Sequence, residues 1–307
     1  MTDHYPSRVA GQPQWLERKD PVVHSPWHSE SPLSQDQHEA FDRDGFLVLQ
    51  NVFEADEIAA LQAEMNRLRS MPASIAAETI VAEPASGALR SIFAVHRQSA
   101  LIGRLAADER LVAVARHILG DEVYIHQSRL NYKPGFDGKE FYWHSDFETW
   151  HTEDGMPRMR AISISVQLVD NFEFNGPLML MPGSQRTYVT CVGETPEDHY
   201  KQSLRKQEYG VPDRDSLTRL AERHGIASPT GPAGSVVIFD CNTMHGSNGN
   251  ITPFPRANAF MVYNAWANQL AAPFGAKAPR PEFIAARQHV ERLAPVRGNL
   301  AQQMRAA

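Results

Sequence analysis

The sequence is poor in cysteine and has no long apolar run. Only two of its 307 residues are cysteines, Cys191 and Cys241, too few for a disulfide framework or a cysteine-based zinc site. They suit a reducing compartment. The N-terminus lacks the apolar core of a signal peptide, and no run of about eighteen apolar residues occurs that would span a membrane. We therefore expect a soluble cytoplasmic protein.

The sequence also has no large excess of charge of either sign. The formal net charge is −6, and neither a block of like charge nor a basic amphipathic stretch occurs. Because a nucleic-acid footprint needs a basic face, we expect no nucleic-acid partner. The chain also holds neither a glycine-rich phosphate-binding loop nor a nucleophile elbow. Its hydrophobic fraction of 42% is ordinary for a globular protein, and its length suffices for one large domain.

The most informative stretch is aromatic and runs over residues 141–151, with the sequence FYWHSDFETWH. It has no helix cap, which predicts a β-strand that runs into a loop. Because strand side chains alternate between faces, His144 and Asp146 should point the same way and Ser145 away from them. An imidazole and a carboxylate on one face can share a metal ion that a third ligand completes.

Taken alone, this His-x-Asp triplet is weak evidence, because it occurs by chance in many proteins and is more typical of a surface strand with two polar residues. A catalytic triad is excluded for these neighbours, because Ser145 faces away from His144. Two downstream residues favour a metal site: His245 follows a predicted strand and turn, and Arg256 follows eleven residues later. This is the ligand order of iron(II)/2-oxoglutarate oxygenases, in which two histidines and a carboxylate leave positions for a cosubstrate and oxygen. Arg256 would clamp the far carboxylate of the cosubstrate.

The first 120 residues predict helices more than strands. Residues 1–33 read as an extended arm, and residues 34–120 as a helical preface with short strands near residues 45–50, 79–82 and 90–95. Ser34 and Gln37 form a capping box at the start of the first helix, and Asp56 should cap the second. A helix over residues 101–119 should end at Gly120.

From residue 121 to 266 the pattern is mainly β. Residues 123–133 predict a long strand, one face of which carries Val123, Ile125, Gln127, Arg129, Asn131 and Lys133. That polar row is either a solvated face or the wall of a polar ligand pocket. A charged, helical insertion or lid interrupts the strands at about residues 195–230, with helices around 200–207 and 217–224. Residues 267–307 form a tail with one helix.

Short strands, Gly/Pro turns and preceding helices predict a single domain over residues 1–307, mainly β with flanking helices. The expected fold is a double-stranded β-helix, a jelly-roll or cupin-like barrel.

Several segments resemble one known family. Residues 141–157, FYWHSDFETWHTEDGMP, are similar to the ectoine hydroxylases of the phytanoyl-CoA dioxygenase-like group of iron(II)/2-oxoglutarate oxygenases. Further matching segments are HQSRLNYKPGF (126–136), NGPLMLMPGS (175–184), CVGETP (191–196), DCNTMHGSNGN (240–250) and YPSR (5–8). Residues 72–98 and the tail do not carry the resemblance.

The resemblance implies a jelly-roll fold with Fe(II) as cofactor and 2-oxoglutarate and O2 as cosubstrates. It implies hydroxylation of the compatible solute ectoine, a protectant against osmotic and heat stress, to 5-hydroxyectoine, with release of succinate and CO2. The implied ligand sets are His144, Asp146 and His245 for the metal, Arg256, Asn131 and Phe141 for 2-oxoglutarate, and Gln127, Thr149, Trp150 and Asn258 for ectoine.

Residue chemistry agrees with an ectoine site. Ectoine is a small zwitterion with a cyclic amidinium and a carboxylate. Arg129 could pair with the carboxylate, and the face of Trp150 could lie against the flat cation. Phe239 and Phe260 are either walls of this pocket or ordinary core.

Other interpretations of the same residues stay open. The chemistry could act on another small zwitterion or amino acid. A non-catalytic barrel could bind a metal or solute without turnover, but it would not need both Arg256 and a full ligand set. Catalytic zinc also accepts two histidines and a carboxylate, although a zinc hydrolase leaves Arg256 unexplained and has no obvious general base. A homodimer is compatible with the sequence.

Overall fold

The computed structural model describes residues 2–82, 87, 89–197, 200–203 and 209–304. Part of the helix predicted around residues 200–207 therefore lies outside the described residues. No helix in the described ranges is both long and apolar enough to cross a bilayer.

Twelve β-strands lie in the described part of the chain. They are β1 (Trp15–Glu17), β2 (Phe46–Leu49), β3 (Ile80–Ala82), β4 (Leu89–Phe93), β5 (Val123–Lys133), β6 (Phe141–His144), β7 (Ala161–Gln167), β8 (Leu178–Leu180), β9 (Thr187–Val189), β10 (Val236–Asp240), β11 (His245–Ser247) and β12 (Arg256–Ala265).

The strands form two facing sheets and a small ribbon. The large sheet has the order β2-β10-β7-β12-β5-β4-β3, the small sheet β6-β11-β8, and the ribbon pairs β1 with β9. One cavity is lined by residues of both the large and the small sheet, so the two sheets face each other across it. This arrangement confirms the predicted jelly-roll fold. Within the described residues, however, no hydrogen-bonded strand pair joins the two sheets, so they make an open sandwich rather than a closed barrel.

The described helices flank the sheets. They are α1 (Gln35–Asp44), α2 (Ala55–Ser70), α3 (Val95–Gln98), α4 (Ala100–Ala106), α5 (Glu109–Leu119), α6 (Asp146–Thr149), α7 (Tyr200–Ser203), α8 (Arg214–His224) and α9 (Leu300–Met304). A π-helical turn, Trp150–Asp154, continues α6.

The alternation along β7 decides which face of the large sheet carries the core. Its residues Ile162, Ile164 and Val166 pack with apolar side chains of α1, α2, α4 and α5 in the main hydrophobic cluster. Its residues Ser165 and Gln167 line the cavity on the other face. Burying aliphatic side chains against the helices therefore aims the polar side chains at the space between the sheets.

Two helix boundaries differ from the predictions. The helix predicted over residues 101–119 is two helices, because the Asp108 carboxylate accepts from the Arg110 amide and caps α5. An aspartate favours such a cap over a helix interior. The second helix begins after Glu54 rather than at Asp56, and the Glu57 carboxylate accepts from the Glu54 amide. The capping box at Ser34 and the left-handed Gly120 cap are confirmed.

The N-terminal third contributes strands to the main sheet. β2 pairs with β10 at one edge, and β4 pairs with β5 near the other. Residues 34–120 are therefore more than a helical preface, because they complete the sheet that carries the cavity. The preceding arm is also held in the fold, since β1 pairs with β9.

Candidate active site

The two candidate histidine ligands lie side by side on neighbouring strands. β6 and β11 are antiparallel, and their register places His144 opposite His245. The two ring centroids are 4.2 Å apart. Residues 101 positions apart in the chain therefore meet because the small sheet pairs their strands.

Backbone carbonyls orient both rings. His144 Nδ1 lies 2.8 Å from the Tyr142 carbonyl oxygen, and His245 Nδ1 lies 2.9 Å from that of Thr243. A carbonyl oxygen can only accept, so each Nδ1 carries the proton and donates it. In the neutral ring the lone pair is then on Nε2, which is the arrangement that outer hydrogen bonds impose on metal-binding histidines.

Asp146 completes the group in a way that differs from the prediction. The strand ends at His144, and Asp146 begins helix α6 instead of lying in a loop. Its Oδ1 is 3.6 Å from His144 Nε2, and its Oδ2 is 3.8 Å from His245 Nε2. Ser163 Oγ donates to Oδ2 at 3.2 Å. The ligand atoms of the three residues all lie within 4.8 Å of one another.

The electrostatics of the group suit metal binding. Burial alone would raise the pKa of Asp146, but the neighbouring His245, His144 and Arg129 outweigh it and hold that pKa well below its usual value. Burial and the nearby His144 lower the pKa of His245 to about 4. At neutral pH the group therefore offers an ionised carboxylate and an uncharged imidazole, as a divalent metal requires. Two imidazoles and one carboxylate fit iron(II).

A cavity with about 950 Å³ of empty space, including its mouth, opens beside His144 and His245. We call it the arginine cavity. Its cationic side chains are Arg90, Arg129, Lys133, Lys139 and Arg256, and none of its described lining residues is acidic.

Arg129 and Arg256 are half-buried in the wall of the arginine cavity. Burial lowers the pKa of Arg129 to about 10, and burial together with Arg129 does the same for Arg256. Both stay charged at neutral pH. Arg129 Nε is buried and has no hydrogen-bond partner among the described residues. Since buried charges require counter-charges, this cavity is suited to an anion with more than one carboxylate.

The sheet registers place further predicted residues in the arginine cavity. β5 and β12 pair Asn131 with Asn258, and Asn131 Nδ2 donates to Asn258 Oδ1 at 3.0 Å. Phe239 and Phe260 also line it, and the Arg129 guanidinium lies over the Phe260 ring at 4.3 Å. Asn258, Phe239 and Phe260, predicted to contact substrate, thus share a cavity with Arg256.

A second, smaller cavity lies on the other side of His144. We call it the tryptophan cavity, and its lining is Gln127, Arg129, Phe141, His144, Asp146, Thr149, Trp150, Glu153, Tyr200 and Arg280. Arg129, Phe141 and His144 line both cavities. The structure therefore brings the predicted Gln127, Thr149 and Trp150 together beside the ligand Asp146. Thr149 Oγ1 is buried with no partner among the described residues.

A β-bulge alters the predicted polar row of β5. The pairing with β12 runs from Gln127 opposite Val262 to Ile125 opposite Tyr263, so His126 is the extra residue. Ile125 packs in the helix-side core, although simple alternation placed it with Gln127. His126 turns inward, and its ring meets Trp150 edge-on at 5.2 Å. A bulge shifts the alternation by one residue, and no sequence signal marks this one.

Charges of both signs line the tryptophan cavity. Arg280 Nη2 lies 2.6 Å from Asp154 Oδ2, and its Nε lies 3.5 Å from Glu153 Oε2. None of these three residues was predicted to belong to the site. Glu153 and Asp154 lie in the matching segment 141–157, so their position in the sequence could have suggested a role in the site. Arg280 comes from the tail, whose sequence carries no signal.

Comparisons with known proteins agree with this geometry. Residues 41–258 match the family model described as phytanoyl-CoA dioxygenase (PhyH). The chain is 62% identical to the ectoine dioxygenase of Sphingopyxis alaskensis over 98% of this chain and 99% of that protein. It is 52% identical to the ectoine dioxygenase of Halomonas elongata over 92% of this chain and 86% of that protein.

Solved structures of an ectoine dioxygenase relative are also similar to this chain over nearly its whole length. The crystal structure of EctD from S. alaskensis with 2-oxoglutarate and 5-hydroxyectoine is 58% identical, with a TM-score of 0.90 over 97% of this chain and 100% of that one. The structure of the same protein with bound Fe is 57% identical, with a TM-score of 0.89 and the same coverage.

Proposed function

The chain belongs to the phytanoyl-CoA dioxygenase family, and we propose that it hydroxylates ectoine to 5-hydroxyectoine. It is a non-haem iron(II)- and 2-oxoglutarate-dependent dioxygenase, which uses O2 and releases succinate and CO2. The observation that carries the proposal is that a cavity with cationic but no acidic side chains and a cavity with charges of both signs meet at one His-Asp-His group.

The metal-binding roles belong to His144, Asp146 and His245. The Tyr142 and Thr243 carbonyls hold the two imidazoles in the tautomer that leaves Nε2 available. Ser163 orients the carboxylate of Asp146. Iron(II), when bound, supplies the redox chemistry that couples decarboxylation of 2-oxoglutarate to hydroxylation of the substrate.

The arginine cavity is the proposed site of 2-oxoglutarate. Arg256 binds the carboxylate distant from the metal through its planar fork of donors. Asn131 bonds Asn258 and lies along the same wall, and Phe141 lies between this cavity and the next. As an uncharged residue in the cavity that Arg129 and Arg256 also line, Phe141 limits the water that would screen the attraction of the arginines for the dianion.

The tryptophan cavity is the proposed site of ectoine. Arg129 reaches it from the shared wall and pairs with the ectoine carboxylate, while the Trp150 ring covers the amidinium. Gln127 and Thr149 supply polar contacts. We retain Asn258, Phe239 and Phe260 as substrate contacts on the side of the arginine cavity, where the target ring would approach the metal. Holding the target carbon near the metal is what the protein contributes to the rate.

The deciding experiment loads the protein with iron(II) under anaerobic conditions and then admits oxygen with 2-oxoglutarate and ectoine. We expect hydroxyectoine and succinate in about equal amounts, because each turnover converts one molecule of ectoine to hydroxyectoine and one molecule of 2-oxoglutarate to succinate. Controls omit 2-oxoglutarate or use His245→Ala. A panel of small zwitterions and amino acids tests the substrate. Faster hydroxylation of another member would overturn the assignment to ectoine but not the chemistry.

Three further proposals concern the whole molecule. We propose that residues 1–307 act as one oxygenase domain, since the sheets and the tail line the cavities and the arm bonds the segment that carries Asp146. We propose a cytoplasmic location, with which the buried, unpaired Cys191 and Cys241 are compatible. The homodimer stays a prediction that measurement of the molar mass in solution would test.

A further inference from the structure

The YPSR segment at residues 5–8 lies on the helical segment that carries the metal ligand Asp146. We define residues 146–154 as the ligand segment, since Asp146, Thr149, Trp150 and Glu153 of the tryptophan cavity all belong to it. We propose that Arg8 is a positioning residue that holds the ligand segment, and with it Trp150, in the geometry that binds the substrate. This inference rests on the proposed function in treating ectoine as that substrate.

The guanidinium of Arg8 joins two carboxylates of the ligand segment. Nε and Nη2 donate to the two oxygens of Glu148 at 3.1 and 2.9 Å, and Nη2 also lies 2.6 Å from Glu153 Oε1. The side chains of all three residues are no more than 3% exposed. Ser7 Oγ adds a bond of 2.7 Å to Glu148 Oε1. Because these charged groups are buried, none of them can replace a lost partner with water, so removing one of them destabilises the others.

The spacing of the two glutamates connects Arg8 to the shape of the segment. Glu148 and Glu153 are five residues apart. In an α-helix, with about 3.6 residues per turn, such residues point in well-separated directions. The π-helical turn Trp150–Asp154 is wider and brings positions i and i+5 closer together. Bridging both carboxylates therefore favours the wide turn, and Thr149 and Trp150 lie inside the bridged interval.

The arm is itself fixed before it reaches Glu148. The Arg8 amide donates to the Cys191 carbonyl at 2.7 Å. The ring of Tyr5 meets that of Phe147 edge-on at 5.3 Å, and its hydroxyl donates to Asp20 at 3.0 Å. Arg8 also adopts a positive φ of 54°, which is uncommon for a residue other than glycine. The fold thus imposes the backbone geometry that aims this side chain.

Arg8 differs from Arg280, another arginine that bonds the ligand segment, in a way that makes the role of Arg8 testable. Arg280 holds Asp154 and lines the tryptophan cavity, so a change there would also alter direct contacts. Arg8 lines neither cavity. Its guanidinium also donates to Thr195 Oγ1 at 2.9 Å, but Thr195 lines neither cavity, so an effect on substrate should pass through the ligand segment. The arginine cavity stands on sheet strands, and its affinity for 2-oxoglutarate should be unaffected.

The experiment compares Arg8→Lys with Arg110→Lys, and adds Ser7→Ala. Arg110 is the matched control because it also bridges two buried carboxylates, Glu57 and Asp108, each at 2.8 Å, on the helix side of the large sheet. Lysine keeps the charge but cannot reproduce the fork. Each iron-loaded protein is titrated with 2-oxoglutarate and with ectoine by anaerobic calorimetry. Melting temperature, succinate per hydroxyectoine and amide hydrogen exchange over residues 146–156 are then measured.

We expect Arg8→Lys to raise the Kd for ectoine about tenfold, to change the Kd for 2-oxoglutarate less than about twofold, and to raise the succinate-to-product ratio. Amides of the ligand segment should exchange faster. Ser7→Ala should show the same pattern, about two- to threefold in Kd, which corresponds to loss of the one hydrogen bond that Ser7 donates to the ligand segment. Arg110→Lys should lower only the melting temperature.

Two outcomes would overturn the inference. One is an Arg8→Lys protein whose affinity, product ratio and exchange match the wild type. The other is a loss that affects both ligands equally and follows melting temperature as in Arg110→Lys. Should Arg8→Lys not fold, Ser7→Ala decides by the same criteria. Failure of the wild type to bind ectoine would refute the proposed substrate instead, and the exchange of residues 146–156 would still test the role of Arg8.

Discussion

The arginine cavity and the tryptophan cavity share a wall at Arg129, Phe141 and His144 but stand on different supports. Arg256, Asn131 and Asn258 of the arginine cavity project from paired strands β5 and β12. Thr149 and Trp150 of the tryptophan cavity project from a helical segment. The termini hold that segment, because the arm bonds Glu148 and the tail bonds Asp154.

Their charges differ as well. The described lining of the arginine cavity is cationic without an acid, whereas the tryptophan cavity contains Asp146, Glu153, Arg129 and Arg280. A dianion gains from a surplus of positive charge, and a zwitterion from groups of both signs at fixed positions. Under the proposed assignment, 2-oxoglutarate is bound on the rigid sheet, whereas substrate binding depends on a helical segment that residues distant in the sequence hold in place.

The largest effect is expected from removal of the metal ligands, which lie where the two cavities meet. His144→Ala, Asp146→Ala and His245→Ala should each abolish turnover and cut the iron content, because the remaining two ligands hold the ion poorly. Iron per protein and hydroxyectoine formation are the measurements, with His289→Ala, an exposed histidine, as control. Near-normal iron and activity in any one of the three would remove that residue from the ligand set.

The next effect should be confined to the arginine cavity. Arg256→Ala removes a buried charged contact worth about 2–5 kcal/mol, so the Kd for 2-oxoglutarate should rise at least about 30-fold with a much smaller change for ectoine. The control is Arg160→Ala, since Arg160 bonds the Leu119 and Gly120 carbonyls away from both cavities. An unchanged dependence on 2-oxoglutarate would make Arg256 a structural residue.

The corresponding change in the tryptophan cavity is Trp150→Ala. Trp150→Ala should leave iron and 2-oxoglutarate binding intact and weaken ectoine binding about tenfold or more. A loosely held ring is rarely in position for reaction, so succinate should accumulate in excess of hydroxyectoine. Trp266→Ala serves as control because that ring packs against Tyr124 and Arg292. A ratio near one with unchanged ectoine affinity would place the substrate elsewhere.

The smallest effect concerns pH and the arginine cavity alone. With the pKa of Arg256 at about 10, the wild type should bind 2-oxoglutarate equally well from pH 6.5 to 8.5. In Arg256→Lys the same burial and the nearby Arg129 act on a group of lower intrinsic pKa. Its cation should be lost as pH rises through that range, and the Kd should rise with it. Calorimetry at several pH values tests this, and identical flat profiles would show that the cavity does not depress the lysine pKa.

Several parts of the fold could be predicted because they depend on local pattern. The capping box at Ser34, the long strand β5 and the alternation of β7 follow from spacing and propensity alone. The convergence of His144 and His245 could be anticipated only from the order of the candidate ligands and from the resemblance, since nothing local pairs β6 with β11. The helical turn at Asp146 was not predicted, because aromatic residues favour strands and tertiary packing overrides that preference here.

The sequence by itself determined the chemistry of this protein: two histidines, one aspartate and one arginine in a definite order, within segments that resemble one family. The tertiary structure decided where that chemistry acts. Only strand pairing could set Nε2 of two distant histidines beside one carboxylate, and only a bulge at His126 could turn both it and Gln127 inward. Only the docking of the arm could bury Arg8 against Glu148 and Glu153, because contacts between residues about 140 positions apart depend on the packed core and on no local signal.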